Sequence, residues 1–414
     1  MNTPDVLERD CVIAGGGPAG MVLGCLLARR GLNVTVLEKH ADFLRDFRGD
    51  TIHPSTITVL RDLGLAERLL DLPLSRVPTM DAVVDGSRFT AVDFSTLPGP
   101  DDFLVFAPQW DFLDFLASEG ARLPGFDLRM RTGAHDLLLK DHSIVGVRAS
   151  DDQGEVEIRA TLTVASDGRT SLLRQKAELV PVETGVPTDV LWFRLPKPQD
   201  PPPTTLGYVS AKGLVLTLER GDYYQAGTVI PKGRFAQLRA QGLDAFRARL
   251  ASAAPPLTGV VGALEDWDQI KLLSVQLNHL PQWHRPGFIA IGDAVHAMSP
   301  VFGVGVNYAI QDAVALSNAI ADDLAGGTVP EAVLARVQAR RERPVRAMQR
   351  IQRFAHRGLG RVTRARGDRF MPRPIAAGAG VLQPLIQRTL AHLIGYGFLP
   401  ERPDLCDAVG ERPA

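Results

Sequence analysis

Residues 286–312 read PGFIAIGDAVHAMSPVFGVGVNYAIQD, and the rest of the chain is organised around them. Phe288 to Ile291 is a short apolar run that stops at Gly292, the pattern of a strand buried on both faces and ending at a turn. Asp293 then stands at the carboxyl end of that strand, where open α/β sheets bind ligands. After Pro300, the run Phe302-Gly303-Val304-Gly305-Val306-Asn307 opens a helical pattern that continues to about Leu324. Glycines at a helix start let a ligand approach bare N–H groups, and the helix dipole favours negative charge there.

The amino terminus carries a second ligand signature. Cys11 to Ala14 predicts a strand, Gly15-Gly16-Gly17-Pro18-Ala19-Gly20 follows at once, Met21 to Arg30 predicts a helix, and Val34 to Leu37 predicts a strand ending in Glu38. This is the βαβ unit for an adenine dinucleotide. Gly15 allows the tight turn, Gly17 admits the pyrophosphate to the backbone, Gly20 lets helix and strand pack closely, and Glu38 can accept from ribose hydroxyls. The fingerprint alone does not separate FAD from NAD. In residues 286–312, a carboxylate beside an electropositive helix end suits reduced flavin, with its ribityl hydroxyls and its ring charge near N1 and the C2 carbonyl.

Composition narrows the rest. A length of 414 residues allows two domains with a sizeable core. Lys plus Arg total 46 against 47 Asp plus Glu, so no overall field draws the protein to nucleic acid. Cys11, Cys25 and Cys406 have no metal-ligand spacing, and their odd number argues against a disulfide framework. We expect no metal and a reduced, cytoplasmic setting. The apolar run from Cys11 to Ala28 is preceded by acidic residues and broken by glycines, which suits neither a signal peptide nor a membrane span.

Between these landmarks, Arg76 to Pro100 suggests short strands and turns, and Gln109 precedes a helix over Asp111 to Ala121. Leu128 to Val164 reads as strands, expected as a small antiparallel sheet laid over the dinucleotide unit. It ends in Ser166-Asp167-Gly168-Arg169, where a strand again delivers a carboxylate ahead of a helix. Pro181 to Gln276 is strand-rich, with Leu191 to Leu195, Leu214 to Leu218 and Tyr223 to Ile230 as candidates, a hairpin turn at Gly221-Asp222, and a helix over Arg234 to Leu250. Tyr223, Gln225 and Gly227 share one face of their strand, and Tyr224, Ala226 and Thr228 the other. Glu331 to Arg357 predicts an amphipathic helix kinked at Pro344, with an arginine-rich solvated face. Leu382 to Ile394 predicts a last apolar helix, and membrane-surface contact is the lesser alternative for this pair.

Gly292, Asp293, Ala294, His296, Pro300, Gly303, Gly305, Asn307 and Asp312 fall in register with the second flavin motif of the FAD-dependent aromatic hydroxylases, the para-hydroxybenzoate hydroxylase type. The chain resembles that family over roughly Val12 to Gly64, Gln109, Thr163 to Arg174 and Trp283 to Asp312. The resemblance implies an α/β fold: a Rossmann-like FAD-binding domain (1–75, 101–180 and 277–330), a β-sheet-rich substrate domain (76–100 and 181–276), and C-terminal helices (331–414). It implies bound FAD held by Gly15, Gly17, Pro18, Ala19, Gly20, Glu38, Lys39, Arg48, Gln109, Asp167, Gly168, Gly292, Asp293, Pro300, Gly303, Gly305, Val306 and Asn307. NAD(P)H is then the transient electron donor, and oxygen carried on the flavin C4a carbon hydroxylates a phenolic or polycyclic aromatic substrate.

No residue is compelled as a protein acid or base, and His296 reads as orienting. Pro300, Trp192, Arg194, Tyr223, Tyr224 and Gln225 are pocket candidates. Two rivals stand: a flavin reductase of an isoprenoid or polyene, and a non-catalytic binding protein on the same fold. A halogenase is disfavoured because Trp192-Phe193-Arg194-Leu195-Pro196 lacks the spaced tryptophan motif of that group.

Overall fold

The computed structural model describes residues 5–44, 51–201, 207–362 and 373–404; Arg48 and Cys406 lie outside them. An eight-stranded sheet carries the dinucleotide unit. Its parallel heart is Phe288–Ala290, Gly154–Ala165, Asp5–Ala14, Val34–Leu37 and Phe126–Arg129, in that order across the sheet. Strands of this kind are buried on both faces, and Cys11, Val12, Ile13, Phe288, Ile289 and Ala290 have no exposed surface. Helix Pro18–Arg29 packs against both Gln109–Gly120 and Gly305–Ala325 beside the sheet.

The expectation for Leu128 to Val164 needs correction. Gly154–Ala165 is no part of an overlying sheet: it lies parallel to Asp5–Ala14 within the main one, from Asp5↔Val156 to Ala14↔Ala165. Its first half also pairs antiparallel with Ser143–Asp151, and only that strand and Gly133–Lys140 extend the sheet as a meander. Burial explains the dual role. The strand alternates exposed and buried positions at first and becomes continuously buried over its last four residues.

A second, seven-stranded sheet contains Lys271–Leu273, Thr188–Pro196, Tyr223–Pro231, Gly213–Arg220, Gly207–Ser210, Thr79–Val84 and Ser87–Asp93. Arg220 pairs with Tyr223 across the expected Gly221-Asp222 turn, where Gly221 takes the positive φ such a turn requires. Thr79–Val84 joins the sheet through a parallel pairing with Gly207–Ser210. The chain leaves the first sheet and returns to it through an antiparallel pair, Val182–Thr184 with Leu277–His279. The helix expected over Arg234 to Leu250 is two, Phe235–Ala240 and Leu243–Ala253, because Gly242 at φ +90° cannot continue a right-handed helix.

Helix Glu331–Val362 runs on through Pro344, and Arg373–Gly395 follows. Arg336, Arg340, Arg343, Arg346, Arg350 and Arg353 are all exposed. Among the described residues no helix is long and apolar enough to cross a membrane. Arg341, by contrast, is buried, and its Nε donates to Asp312 Oδ1 at 3.0 Å while Nη1 donates to Glu401 Oε1 at 3.3 Å. Removing one partner of a buried pair strands the other charge. Arg341→Met is therefore expected to lower stability by about 3–5 kcal/mol in urea denaturation. Loss of the exposed Arg346–Glu342 pair, in Arg346→Ala, costs less than about 1 kcal/mol.

Candidate active site

The register of the parallel strands decides where the motifs meet. Ala14 lies opposite both Leu37 and Ala165, and Ala165 lies opposite Ala290. One row of strand ends therefore delivers Glu38, Gly15, Asp167 and Asp293 to the carboxyl edge of one sheet. Motifs separated by more than two hundred residues of sequence become neighbours through hydrogen-bond register alone.

Each glycine of the fingerprint meets a different constraint. A Cβ on Gly15 (φ +110°) would sit 2.4 Å from Ser166 O, and one on Gly20 would sit 2.0 Å from Gly15 O. A Cβ on Gly17 would meet no other described residue within 4 Å, so that opening faces outward, where Pro18 and Ala19 begin the helix. Glu38 is buried beside it, its carboxylate accepting from the N–H of Gly16 at 3.2 Å and of His40 at 3.0 Å, while Lys39 is exposed.

Asp167 Oδ2 accepts from the N–H groups of Leu172 and Leu173, at 2.8 and 3.3 Å, which leaves Oδ1 buried without a partner among the described residues. A Cβ on the adjoining Gly168 would again meet open space. Arg169 Nε donates to Asp293 Oδ2 at 3.0 Å, joining two motifs directly. Arg174 spans the same gap from beneath, donating to Ala294 O at 2.7 Å.

The 286–312 stretch is pinned from behind. Asp312 has no exposure, and its Oδ2 accepts from Gly292 N at 3.1 Å and pairs with His296 Nε2 at 2.5 Å. Burial pushes this carboxyl up, but His296 and Arg341 together hold it below the ordinary carboxylate range. Residues 294–299 are buried, and the chain resurfaces at Pro300 to Gly303, Gly305 and Val306. Asn307, in the first turn of helix Gly305–Ala325, receives Ser55 Oγ at 2.6 Å and Thr56 Oγ1 at 2.9 Å on its Oδ1; its Nδ2 is buried without a partner among the described residues. Gln109 opens its own helix partly exposed, with no side-chain hydrogen bond to another described residue.

The pocket candidates separate by face. Trp192, Arg194, Tyr223 and Gln225 lie on one side of the seven-stranded sheet, as their pairings Trp192↔Gly227 and Arg194↔Gln225 require. The indole of Trp192 lies across Gly227, where a Cβ would come within 2.9 Å of the ring. Its Nε1 is buried with no partner among the described residues. Trp192 and Phe302 both border an apolar cluster that includes Phe94, Leu104, Phe106 and Leu218. The guanidinium of Arg194 stacks 5.1 Å from the exposed-edge ring of Tyr223. Tyr224 points the other way, into a core roofed by Leu238, Phe246 and Leu250 of the two helices.

Sequence reasoning missed the brace behind Pro300. Ser299 N donates to Gln352 Oε1 at 3.2 Å, and Gln352 Nε2 donates to Ser299 O and Val301 O, each at 3.0 Å. His356 lies between the hydroxyls of Ser299 (2.6 Å) and Thr188 (2.9 Å). The available signal was a polar stripe, Gln349, Gln352 and His356, at helical spacing on the inward face; all three are buried.

These features fit FAD: an outward-facing glycine opening, a buried carboxylate oxygen with capacity to accept, and an amide donor and bare N–H groups at a helix start. A family model described as an FAD binding domain matches residues 8–351. The chain belongs to this FAD-binding family. It is 28% identical over 375 residues to a 6-methylpretetramide 4-monooxygenase of Streptomyces rimosus, covering 87% of each chain. Its fold matches that of OxyS, an anhydrotetracycline hydroxylase from Streptomyces rimosus, with a TM-score of 0.74 at 22% identity, over 94% of this chain and 76% of that one. It also matches PqsL, a probable FAD-dependent monooxygenase from Pseudomonas aeruginosa, with a TM-score of 0.74 at 21% identity, over 86% and 98% of the respective chains.

Two expectations follow. Gly17→Ala keeps the thermal transition of the protein without FAD but weakens FAD binding at least about tenfold in a fluorescence titration, because the added methyl enters only the ligand's space. Burial also holds His356 below the usual imidazole pKa. The native ring thus refuses a proton that the unfolded chain accepts, and the stability present above the ordinary value is lost as pH falls through it. The urea midpoint is expected to drop between about pH 7 and pH 5, and less steeply in His356→Gln.

Proposed function

We propose that this protein is an FAD-dependent monooxygenase that takes electrons from NAD(P)H and uses O2 to hydroxylate a phenolic or polycyclic aromatic compound. The observation that carries the reading is the single row of strand ends, which brings the dinucleotide, Asp-Gly and Gly-Asp motifs to one edge beneath an electropositive helix start. The named relatives that act on pretetramide and tetracycline compounds support a polycyclic substrate.

FAD supplies hydride acceptance and oxygen activation when bound. The chain's own part is binding, orientation and the exclusion of water. Glu38 and the Gly15–Gly20 turn receive the adenine half, with Gly17 open to the pyrophosphate. Asp167 Oδ1 and the Asp293 carboxylate offer acceptors to hydroxyl groups, and the Arg169 contact holds Asp293 in place. The N–H groups at Gly305 and Val306, with Asn307 Nδ2, would hold the part of the ring that becomes negative on reduction. Pro300 is fixed on both sides by Gln352 and His356, which suits a residue that walls the reacting edge.

In this reading residues 76–100 and 181–276 form the substrate domain. The sheet face bearing Trp192 and Gln225 lines the chamber, and the apolar cluster around Phe94, Leu104 and Phe106 keeps it dry. Trp192 Nε1 is the donor best placed for a substrate oxygen. Tyr224 serves packing.

A screen of polycyclic phenols tests the proposal. A substrate should accelerate NAD(P)H oxidation with matching O2 uptake and yield a product heavier by one oxygen atom. Acceleration with a reduced product and no O2 uptake would establish the reductase instead.

A further inference from the structure

His53 is fully buried just ahead of helix Pro54–Asp62, and neither the dinucleotide unit nor the proposed chemistry uses it. Its Nδ1 lies 2.7 Å from Ile394 O in the last helix, and its Nε2 lies 3.0 Å from Gly303 O in the turn that opens helix Gly305–Ala325. Both partners are carbonyl oxygens, which only accept. A neutral imidazole has one N–H and one lone pair, so it satisfies one carbonyl and turns a lone pair toward the other. An imidazolium satisfies both. His356 makes the contrast plain: its two partners are hydroxyls, which reverse their roles to suit a neutral ring.

Burial works against the charged ring, and the two carbonyl contacts work for it. No carboxylate among the described residues balances it, because the charged groups on the elements around it are engaged elsewhere. Arg61 pairs with Asp101 and Glu67, and Asp62 with Arg402. Asp312 is held by His296 and Arg341, and the hydroxyl of Tyr308 accepts from Phe398 N. On the last helix, Arg388 is exposed, and His392 lies against the ring of Tyr396. The missing counter-charge has an obvious source. Gly303 lies in the partly exposed turn just ahead of Gly305 and Val306, whose N–H groups open the helix. A charged ring on the Gly303 carbonyl adds positive charge behind that helix start, where a reduced flavin brings a negative one.

We propose that His53 is a positioning residue that takes up a proton when the flavin is reduced, gripping Gly303 and Ile394 as an imidazolium behind the turn that faces the reduced ring. This rests on reading the 300–307 turn as flavin-facing. Hydride from NAD(P)H carries two electrons and one proton to the flavin and leaves one negative charge on it. The proton gained by His53 comes from solvent, and no other bond changes.

The test uses the full-length FAD-loaded protein labelled with ¹⁵N-histidine, observed by long-range ¹H–¹⁵N NMR before and after anaerobic dithionite reduction. His53, assigned by its loss in His53→Gln, should show one neutral tautomer when oxidised and two protonated nitrogens when reduced. Reduction should in turn take up one more proton per two electrons in the native protein than in His53→Gln, read as a steeper fall of the flavin potential with pH. That difference is tenfold per pH unit, or about 30 mV for a two-electron couple. A ring that keeps one protonation state in both forms, or a variant with the native slope, overturns the inference. Should His53→Gln not fold, His53 is assigned by elimination, from the loss of each other histidine's signal in its own glutamine variant, and the native spectra decide. If FAD leaves the Gly305 and Val306 amide resonances unmoved, the flavin-site reading falls and this inference with it. If they move while His53 stays neutral, only this inference falls.

Discussion

Strand register is the constraint on which everything else rests. Ala14, Leu37, Ala165 and Ala290 form one row across four parallel strands. A slip of one residue in any strand would exchange the side chains on its two packed faces and move its motif away from the others. The register is secured by continuous burial over the last residues of Gly154–Ala165 and throughout Phe288–Ala290. Side chains then add detail to an arrangement the backbone has already made, with Arg169 joining Asp293 and Arg174 joining Ala294.

The motif-bearing segments were legible in the sequence because their residues have local reasons to be where they are. Gly15 and Gly20 answer to contacts within a few residues of the turn or across one strand, and the apolar run before Gly292 can only be an interior strand. The partners of those segments were not legible. Asp312 falls in the quoted stretch, but nothing nearby announces that it will meet Arg341, twenty-nine residues on and on another helix. The role of Gly154–Ala165 was misread because alternating burial in its first half is what an edge or overlay strand also shows. Which side of Tyr223–Pro231 is covered by helices could not be settled by period-two spacing. That needed the helices Phe235–Ala240 and Leu243–Ala253, which cover the Tyr224 side.

Helix Glu331–Val362 reads as a surface helix with a solvated arginine face, and that face is as expected. Its inward face does more than pack. Arg341, Gln349, Gln352 and His356 each bond to groups on, or one step from, the 292–301 segment. Backbone that leaves a sheet without regular pairing still needs its N–H and C=O groups satisfied. Here glutamine side chains on a distant helix satisfy those at Ala297, Ser299 and Val301. The stretch between the short 3-10 turns Gly292–Ala294 and Val301–Gly303 is thereby held without regular structure of its own.

The antiparallel ribbon formed by Val182–Thr184 and Leu277–His279 has a consequence for how such a molecule diversifies. Exit and return run side by side, so the intervening ninety or so residues can be exchanged as a cassette without cutting the parallel ladder. Thr79–Val84 and Ser87–Asp93 stay behind in such a swap. A foreign cassette must therefore present an edge that runs parallel to Thr79–Val84, as Gly207–Ser210 does. That one seam restricts which chimeras can close.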